Sequence, residues 1–87
     1  MHVVIAGVPA LAFAEPTLLS VSLDALVAGG ESPRCTVTLD PDRVPVALLD
    51  PPPLRAWAVV EDGGGEIFSG LVQRVAVGPA ITITLES

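Results

Sequence analysis

Carboxylates are the side chains of this chain with the greatest capacity for chemistry, and they form two clusters. The first comprises Asp40, Asp42 and Asp50, and the second comprises Glu61, Asp62 and Glu66. Carboxylate oxygens bind Ca²⁺, but the first cluster lacks the turn glycine and the terminal glutamate of an EF-hand loop. Paired carboxylates serve acid–base catalysis in a cleft that shifts their pKa values, and nothing in the sequence indicates such a cleft. We therefore interpret both clusters as solvated turns and predict no metal site.

The candidate nucleophiles lack the partners that would activate them. Ser69 lies in Phe-Ser-Gly rather than in the Gly-x-Ser-x-Gly sequence of a nucleophile elbow. Cys35 is the only cysteine, the only histidine is His2, and an apolar core position is expected for the thiol. The glycine run 63–65 opens into a predicted strand without a following Lys-Ser/Thr pair, unlike a phosphate-binding loop. We expect no enzymatic activity, no catalytic residue and no cofactor.

The charge balance of the chain is strongly acidic. Ten Asp and Glu residues stand against four Arg residues and no Lys, giving a formal net charge of −6. Nucleic acid and anionic lipid are bound by clustered basic residues, so sequence-specific nucleic-acid binding is not expected. An acidic face remains compatible with a channel along which DNA slides without adhering, because like charges repel.

The hydrophobic content is high for so short a chain. Of the 87 residues, 51% are hydrophobic and 16% are charged. A chain of this length buries only about 60–65% of the surface that its unfolded form exposes. Apolar patches are therefore expected to remain on the surface, and such patches mark sites where other proteins bind. We expect an assembly with partners or with copies of the same chain.

The first fourteen residues allow two interpretations. The apolar segment Val3–Ala14 ends in Ala-Phe-Ala, as a signal-peptidase site does, which would make the chain a secreted envelope domain. Against this, no Lys or Arg precedes the segment and Pro9 interrupts it. A strand over His2–Val8 that turns near Pro9 is the preferred prediction. The segment is also shorter than the roughly 20 apolar residues of a membrane span, so no membrane insertion is expected.

Alternation of apolar and polar residues predicts the strands. Period-two alternation is typical of a strand with one buried face. The predicted strands are Thr17–Leu23, Arg34–Asp40, Leu54–Glu61, Glu66–Val77 and Ala80–Glu86. Their predicted inward side chains include Leu19, Val21, Leu23, Cys35, Val37, Leu39, Ile81, Ile83 and Leu85. Loops are predicted at the glycines 29–30, 63–65 and 78.

Proline and glycine determine how these strands connect. Residues 41–53 contain Pro41, Pro45 and the run 51–53, and proline cannot donate a ladder hydrogen bond in a central strand. We predict a proline-rich crossover loop with at most one short helical turn, near Pro45–Leu49. Gly70, inside the longest strand, predicts a bulge or bend. The sum is a single all-β domain over 1–87, a small antiparallel (split) β-barrel of five to six strands.

The strand over 54–61 has apolar residues on both faces, which leaves the place of Trp57 open. It is either a core residue under a loop or an aromatic anchor at an interface, where Trp is enriched. Candidate interface or core anchors are Trp57, Val59, Phe68 and Leu71, and candidate inter-subunit ion pairs involve Arg55 and Arg74.

A series of short motifs follows from Thr17 to Glu86. They are Ser-Val-Ser-Leu, Cys-Thr-Val-Thr-Leu-Asp, Arg-Ala-Trp-Ala-Val, Ile-Phe-Ser-Gly-Leu-Val-Gln-Arg-Val and Ile-Thr-Ile-Thr-Leu. In this order, with a proline-interrupted crossover between the second and third, the chain resembles the first β-barrel domain of bacteriophage tail hub and baseplate proteins. The resemblance implies a barrel whose copies form a ring that continues the tail tube. Hub proteins are usually longer, which favours a minimal tail component or one domain carried separately.

The expected function is therefore a non-enzymatic structural role in a phage or prophage tail, at the tail tip or baseplate hub. The expected partners are copies of the chain and other tail proteins, in the virion and, during assembly, in the cytoplasm of the bacterial host. The alternative is a small OB-like β-barrel that binds an oligosaccharide or another ligand. Such sites usually present several exposed aromatic residues, whereas this chain has two Phe, one Trp and no Tyr.

Overall fold

Seven β-strands and one 3-10 turn form the described part of the chain. The computed structural model describes residues 1–7, 10–24 and 33–87. The strands are β1 His2–Ile5, β2 Leu11–Ala14, β3 Leu18–Asp24, β4 Arg34–Leu39, β5 Trp57–Asp62, β6 Gly65–Val77 and β7 Ile81–Glu86, and the 3-10 turn is Val46–Leu48. The all-β prediction and the single short helical turn are confirmed. The predicted turn at Pro9 and the glycine loop at 29–30 lie outside the described residues.

The strands form a single antiparallel sheet in the order β2-β1-β5-β6-β7-β4-β3. There are seven strands rather than five or six, because the N-terminal segment forms a two-stranded hairpin. Neighbours alternate in direction, so with an odd number of strands the two outermost, β2 and β3, run parallel. They cannot close the sheet by antiparallel pairing, and the sheet remains open between them.

The longest strand, β6, joins two halves of this sheet. Its residues up to Leu71 pair with β5, and those from Leu71 onward pair with β7. We call β2, β1, β5 and the first part of β6 the first half-sheet, and the remainder the second. Register shifts on β6 at Ile67 and Gln73 lie on either side of Gly70, the residue at which a bulge or bend was predicted. The predicted bend is thus distributed over two bulges rather than placed at the glycine.

At Gly70 the backbone of β6 lies close to the backbone of Glu86. A Cβ atom built on it would lie 2.6 Å from the carbonyl oxygen of Glu86. Real Cβ atoms do not come so near to backbone oxygen, so this crossing requires glycine.

The two outermost strands are consecutive in sequence. Only residues 15–17 connect β2 to β3, and the backbone N–H of Asp40 donates to the carbonyl of Thr17 at 2.9 Å. Four Cα–Cα steps span at most about 15 Å, so the sheet must curl until its two ends approach each other at this corner. The curl encloses the inner face of every strand.

The enclosed face forms the hydrophobic core. Six of the predicted inward residues are buried: Cys35, Val37, Leu39, Ile81, Ile83 and Leu85. The core also includes residues of the N-terminal hairpin, of β5 and β6, and of the crossover. The buried side chains of those other elements are Val3, Ile5, Phe13, Leu48, Ala58, Val60 and Val72. The alternating pattern of β4 and β7 therefore predicted their buried faces correctly.

Strand β3 departs from its predicted pattern. A register shift between Leu18 and Ser20 leaves Leu19 unpaired with β4, so Leu18 is buried and Leu19 is 54% exposed. Val21 and Leu23 do lie opposite the inward residues of β4, but Val21 is only partly buried and Leu23 is 48% exposed. The prediction was wrong for Leu19 because of the bulge. Leu23 lies on the predicted inward side, opposite buried Cys35, but it stays half exposed on an outermost strand.

The crossover from β4 to β5 runs through the predicted proline-rich loop. Leu48, on the 3-10 turn, is its one fully buried side chain. Strand β5 begins at Trp57 rather than at Leu54, since Arg55 adopts a positive φ of 69° that interrupts extended backbone. Within the described residues, no helix has the length and hydropathy to span a membrane.

Candidate interaction surface

The first carboxylate cluster is a hydrogen-bonded turn. The backbone N–H of Asp42 donates to Oδ1 of Asp40 at 3.0 Å, and Nε of Arg43 lies 3.4 Å from Oδ2 of Asp40. In the second cluster, Oε1 of Glu61 lies 3.0 Å from Nε2 of His2. Across the described ranges, no three His, Cys, Asp or Glu side chains come together as metal ligands would. Each cluster thus has a local role in a turn or between strands.

Cys35 lies in the core of β4, fully removed from solvent. Burial disfavours the charged thiolate and raises the pKa of Cys35 to about 11. The thiol is therefore protonated at neutral pH, and a protonated buried thiol is unreactive as a nucleophile.

The outer face of the first half-sheet carries an apolar surface. Trp57 on β5 lies directly opposite Leu71 on β6, and these side chains are 50% and 38% exposed. The next outward residue of β5, Val59, lies opposite Val4 on β1, which in turn lies opposite Ala12 on β2. We call these five residues the Trp57 face. It spans all four strands of the half-sheet.

Two pairs of polar side chains border the Trp57 face on two sides. His2 and Glu61 form one border across β1 and β5, and Arg34 and Glu86 form the other across β4 and β7, with Nε and Oε2 3.5 Å apart. All four side chains are partly exposed. An apolar centre with a polar rim is the composition of a protein–protein interface.

The outer face of the second half-sheet differs in character. It carries a block of hydroxyl side chains at register positions on three neighbouring strands: Ser20, Ser22, Thr36, Thr38, Thr82 and Thr84. Small hydroxylated residues with β-branched neighbours suit a hydrated strand surface. The two outer faces therefore differ, and only the first is apolar.

The predicted interface residues divide between the two faces of the sheet. Trp57, Val59 and Leu71 come together on the Trp57 face. Phe68 lies on the opposite side, where it pairs with Val60 and packs partly buried against the core, so of the two predicted places, interface or core, it takes the core. Val4 and Ala12 were missed, because an unbroken apolar run such as Val3-Val4-Ile5 does not reveal which residue points outward.

The two predicted arginines lie away from the centre of this surface. Arg55 precedes β5, and its backbone N–H donates to the carbonyl of Val72 at 2.7 Å. Arg74 lies on β6 opposite Thr84, on the hydroxylated side. Both side chains are exposed, and neither forms an ion pair with another described residue. Their pairing with a second subunit stays a prediction.

A cleft lies between the N-terminal hairpin and the proline-rich crossover. Its volume is about 240 Å³, and it is lined by small apolar residues with one carboxylate: Ile5, Ala6, Gly7, Leu11, Ala47, Asp50, Pro51 and Pro53. Ligand sites usually enclose about 300–1,000 Å³ and include aromatic side chains. This cleft is smaller and has none.

The Trp57 face is therefore the surface among the described residues that best fits a binding role. It combines an exposed tryptophan, an apolar area across four strands and a polar border. No protein-family model, curated protein or solved structure matches this chain.

Proposed function

We propose that this protein is a non-enzymatic structural component of a phage or prophage tail, which assembles into a ring at the tail tip or baseplate hub. In this proposal the Trp57 face packs against copies of the chain or against neighbouring tail proteins. The observation that carries the assembly role is the Trp57–Leu71 pair, exposed on an apolar outer face. The tail assignment is supported by the sequence resemblance to tail hub barrels.

Energetic considerations favour an interface at this surface. Truncation of a central aromatic residue in an interface typically costs 2 kcal/mol or more of binding free energy, about a thirtyfold loss of affinity. Trp57 is the one aromatic residue of the face and is half exposed, so it has area to bury against a partner. The flanking Val59 and Val4 would exclude water around it.

The alternative, a ligand-binding OB-like barrel, has less support. Such domains present several exposed aromatic residues for stacking. Here Phe13 is buried and Phe68 packs against the core, which leaves Trp57 as the one aromatic side chain on the surface.

Light scattering coupled to size-exclusion chromatography tests the proposal. The full chain is expected to self-associate, or to bind purified tail proteins encoded beside it, and the Trp57→Ser/Leu71→Ser double variant is expected to lose at least tenfold in affinity. Because both side chains are on the outer surface, the thermal midpoint of the variant should change little.

The matched control is Val46→Ser, which removes an apolar side chain that is 74% exposed on the crossover, away from the Trp57 face. It should associate as the unmodified chain does. A monodisperse monomer at high concentration with no affinity for tail proteins would contradict the proposal. Unchanged association of the double variant would contradict the assignment of the Trp57 face.

A further inference from the structure

Strand β3 leaves one edge of its backbone without a partner among the described residues. It is seven residues long and pairs on one side with β4, at the end of the strand order. An unpaired edge presents a row of N–H and C=O groups that can extend the sheet into another chain. Exposed Leu19 and Leu23 add apolar side chains to this edge.

The usual protections of an edge strand are sparse on β3. Natural edges are shortened, or carry proline and charged residues. The opposite outermost strand, β2, has only four residues. By contrast, β3 contains no proline, and its one charged residue is Asp24 at its last position, although the chain has ten acidic residues and nine prolines. Two acidic copies can therefore approach each other here without placing carboxylates face to face.

The sequence of β3 is also self-complementary. Residues 19–23 read Leu-Ser-Val-Ser-Leu, the same in both directions. In an antiparallel pair with a two-fold axis at Val21, Val21 lies opposite its own copy, Ser20 opposite Ser22, and Leu19 opposite Leu23. At residues 20–22 each serine then meets a serine and Val21 meets its copy, as a two-fold interface requires. Leu19 and Leu23 meet at either end of this segment, and beyond them Leu18 lies opposite Asp24.

We propose that β3 pairs with β3 of a second copy of this chain, antiparallel and centred on Val21. The register with β4 is regular from Ser20 to Asp24, and the bulge at Leu19 lies at one end of the proposed pair. A cleft of about 220 Å³ lies along the start of β3, lined by Met1, Glu15, Leu18, Leu19, Ser20 and Val21. In the proposed register, Leu23 of the second copy approaches this cleft.

The β3 pair closes on itself. A two-fold contact uses the same edge of both copies, so no third copy can add to that edge, and the result is a dimer rather than a fibre. This contact lies on the second half-sheet, whereas the Trp57 face lies on the first. It does not depend on the proposed function, and a ring built from dimers would use both.

Paired charge variants test the register, in a Trp57→Ser background that removes the other candidate contact. Ser20 and Ser22 are exposed, so their substitution leaves the core intact. Ser20→Glu/Ser22→Glu and Ser20→Lys/Ser22→Lys each place like charges opposite each other twice, and each should weaken the dimer about tenfold. Ser20→Lys/Ser22→Glu places opposite charges together and should dimerise as the background does.

The measurement is the dimer dissociation constant from analytical ultracentrifugation. Net charge alone would rank the three variants differently, since the lysine variant reduces the overall negative charge and the glutamate variant increases it. Equal affinities in all three variants, or affinities that follow net charge, would overturn the proposal, as would a monomeric background.

A cysteine at the axis gives a second, independent readout. Val21→Cys brings two thiols together at the two-fold axis, where cross-strand Cα atoms lie about 4.5–5.5 Å apart, within the range of a disulfide. The variant should form a disulfide-linked dimer under mild oxidation, whereas the buried Cys35 of the unmodified chain should not. The control is Gln73→Cys, exposed on β6. Equally fast cross-linking of both variants would refute the β3 pair.

Discussion

Cys35 is a side chain whose titration affects the stability of this fold. Its burial raises its pKa to about 11, from an ordinary value near 9, because the core disfavours the thiolate. The chain has no Lys and no Tyr, so no other side chain titrates in this interval. A thiol that is neutral in the fold and ionised when unfolded favours the unfolded state as the pH rises.

The contribution of Cys35 to the free energy of unfolding should therefore be constant below pH 9. Between pH 9 and about 11 the free energy of unfolding should fall. Two pKa units correspond to a loss of about 2–3 kcal/mol. Urea denaturation at a series of pH values measures this loss. In Cys35→Ala the profile should be flat over the same interval, and a decline that persists in this variant would show that the cause lies elsewhere.

At the scale of the elements, sequence reasoning succeeded where apolar and polar residues alternate strictly. The patterns of β4 and β7 predicted both the strands and their buried faces, including Val37 and Ile83. It failed where alternation is interrupted or absent. A bulge displaces Leu19 from the core, and the unbroken apolar run of β1 conceals that Val4 points outward. Bulges depend on pairing between strands, which no single strand encodes.

The candidate surface was predicted in the same partial way. Trp57, Val59 and Leu71 were identified from apolar content on both faces of their strands, and they do lie together. Phe68 was predicted as an interface or core anchor, and the structure places it on the inner face of β6, in alternation with Gly70 and Val72.

Gly70 decides whether β6 can serve both half-sheets. In Gly70→Ala the new methyl group would meet the backbone of Glu86 at 2.6 Å, so β7 must move away. We expect the free energy of unfolding to fall by about 2–3 kcal/mol, the typical cost of overpacking. Chemical denaturation measures it. Gly78→Ala is the control, since its Cβ would lie 3.7 Å from the nearest atom and should change stability by less than about 0.5 kcal/mol. Similar values for the two variants would contradict this account.

At the scale of the whole molecule, the shared strand and the common core couple the two half-sheets. Val37 lies in the second half-sheet, and Trp57, the single tryptophan, reports on the first. Val37→Ala should remove about 2 kcal/mol, as buried methyl groups do. The Val37→Ala substitution should shift the unfolding midpoint by the same amount whether unfolding is followed by Trp57 fluorescence or by circular dichroism, because a small domain unfolds as one unit.

The control for this coupling is Thr38→Ala, which alters the adjacent, outward residue of the same strand. Both of its transitions should stay close to those of the unmodified chain. If the fluorescence transition of Val37→Ala stayed in place while the dichroism transition split, the half-sheets would be separate units.

The strand order also has a consequence for how the protein is made. Of the described strands, β6 and β7 are translated after the other five, and they occupy the middle of the sheet, between β5 and β4. Until they emerge, the nascent chain holds two separate fragments, β2-β1-β5 and β4-β3, with no strand to bridge them. Folding of this domain must therefore wait for translation of residue 86. Until then the growing polypeptide exposes strand edges whose backbone groups have no partner.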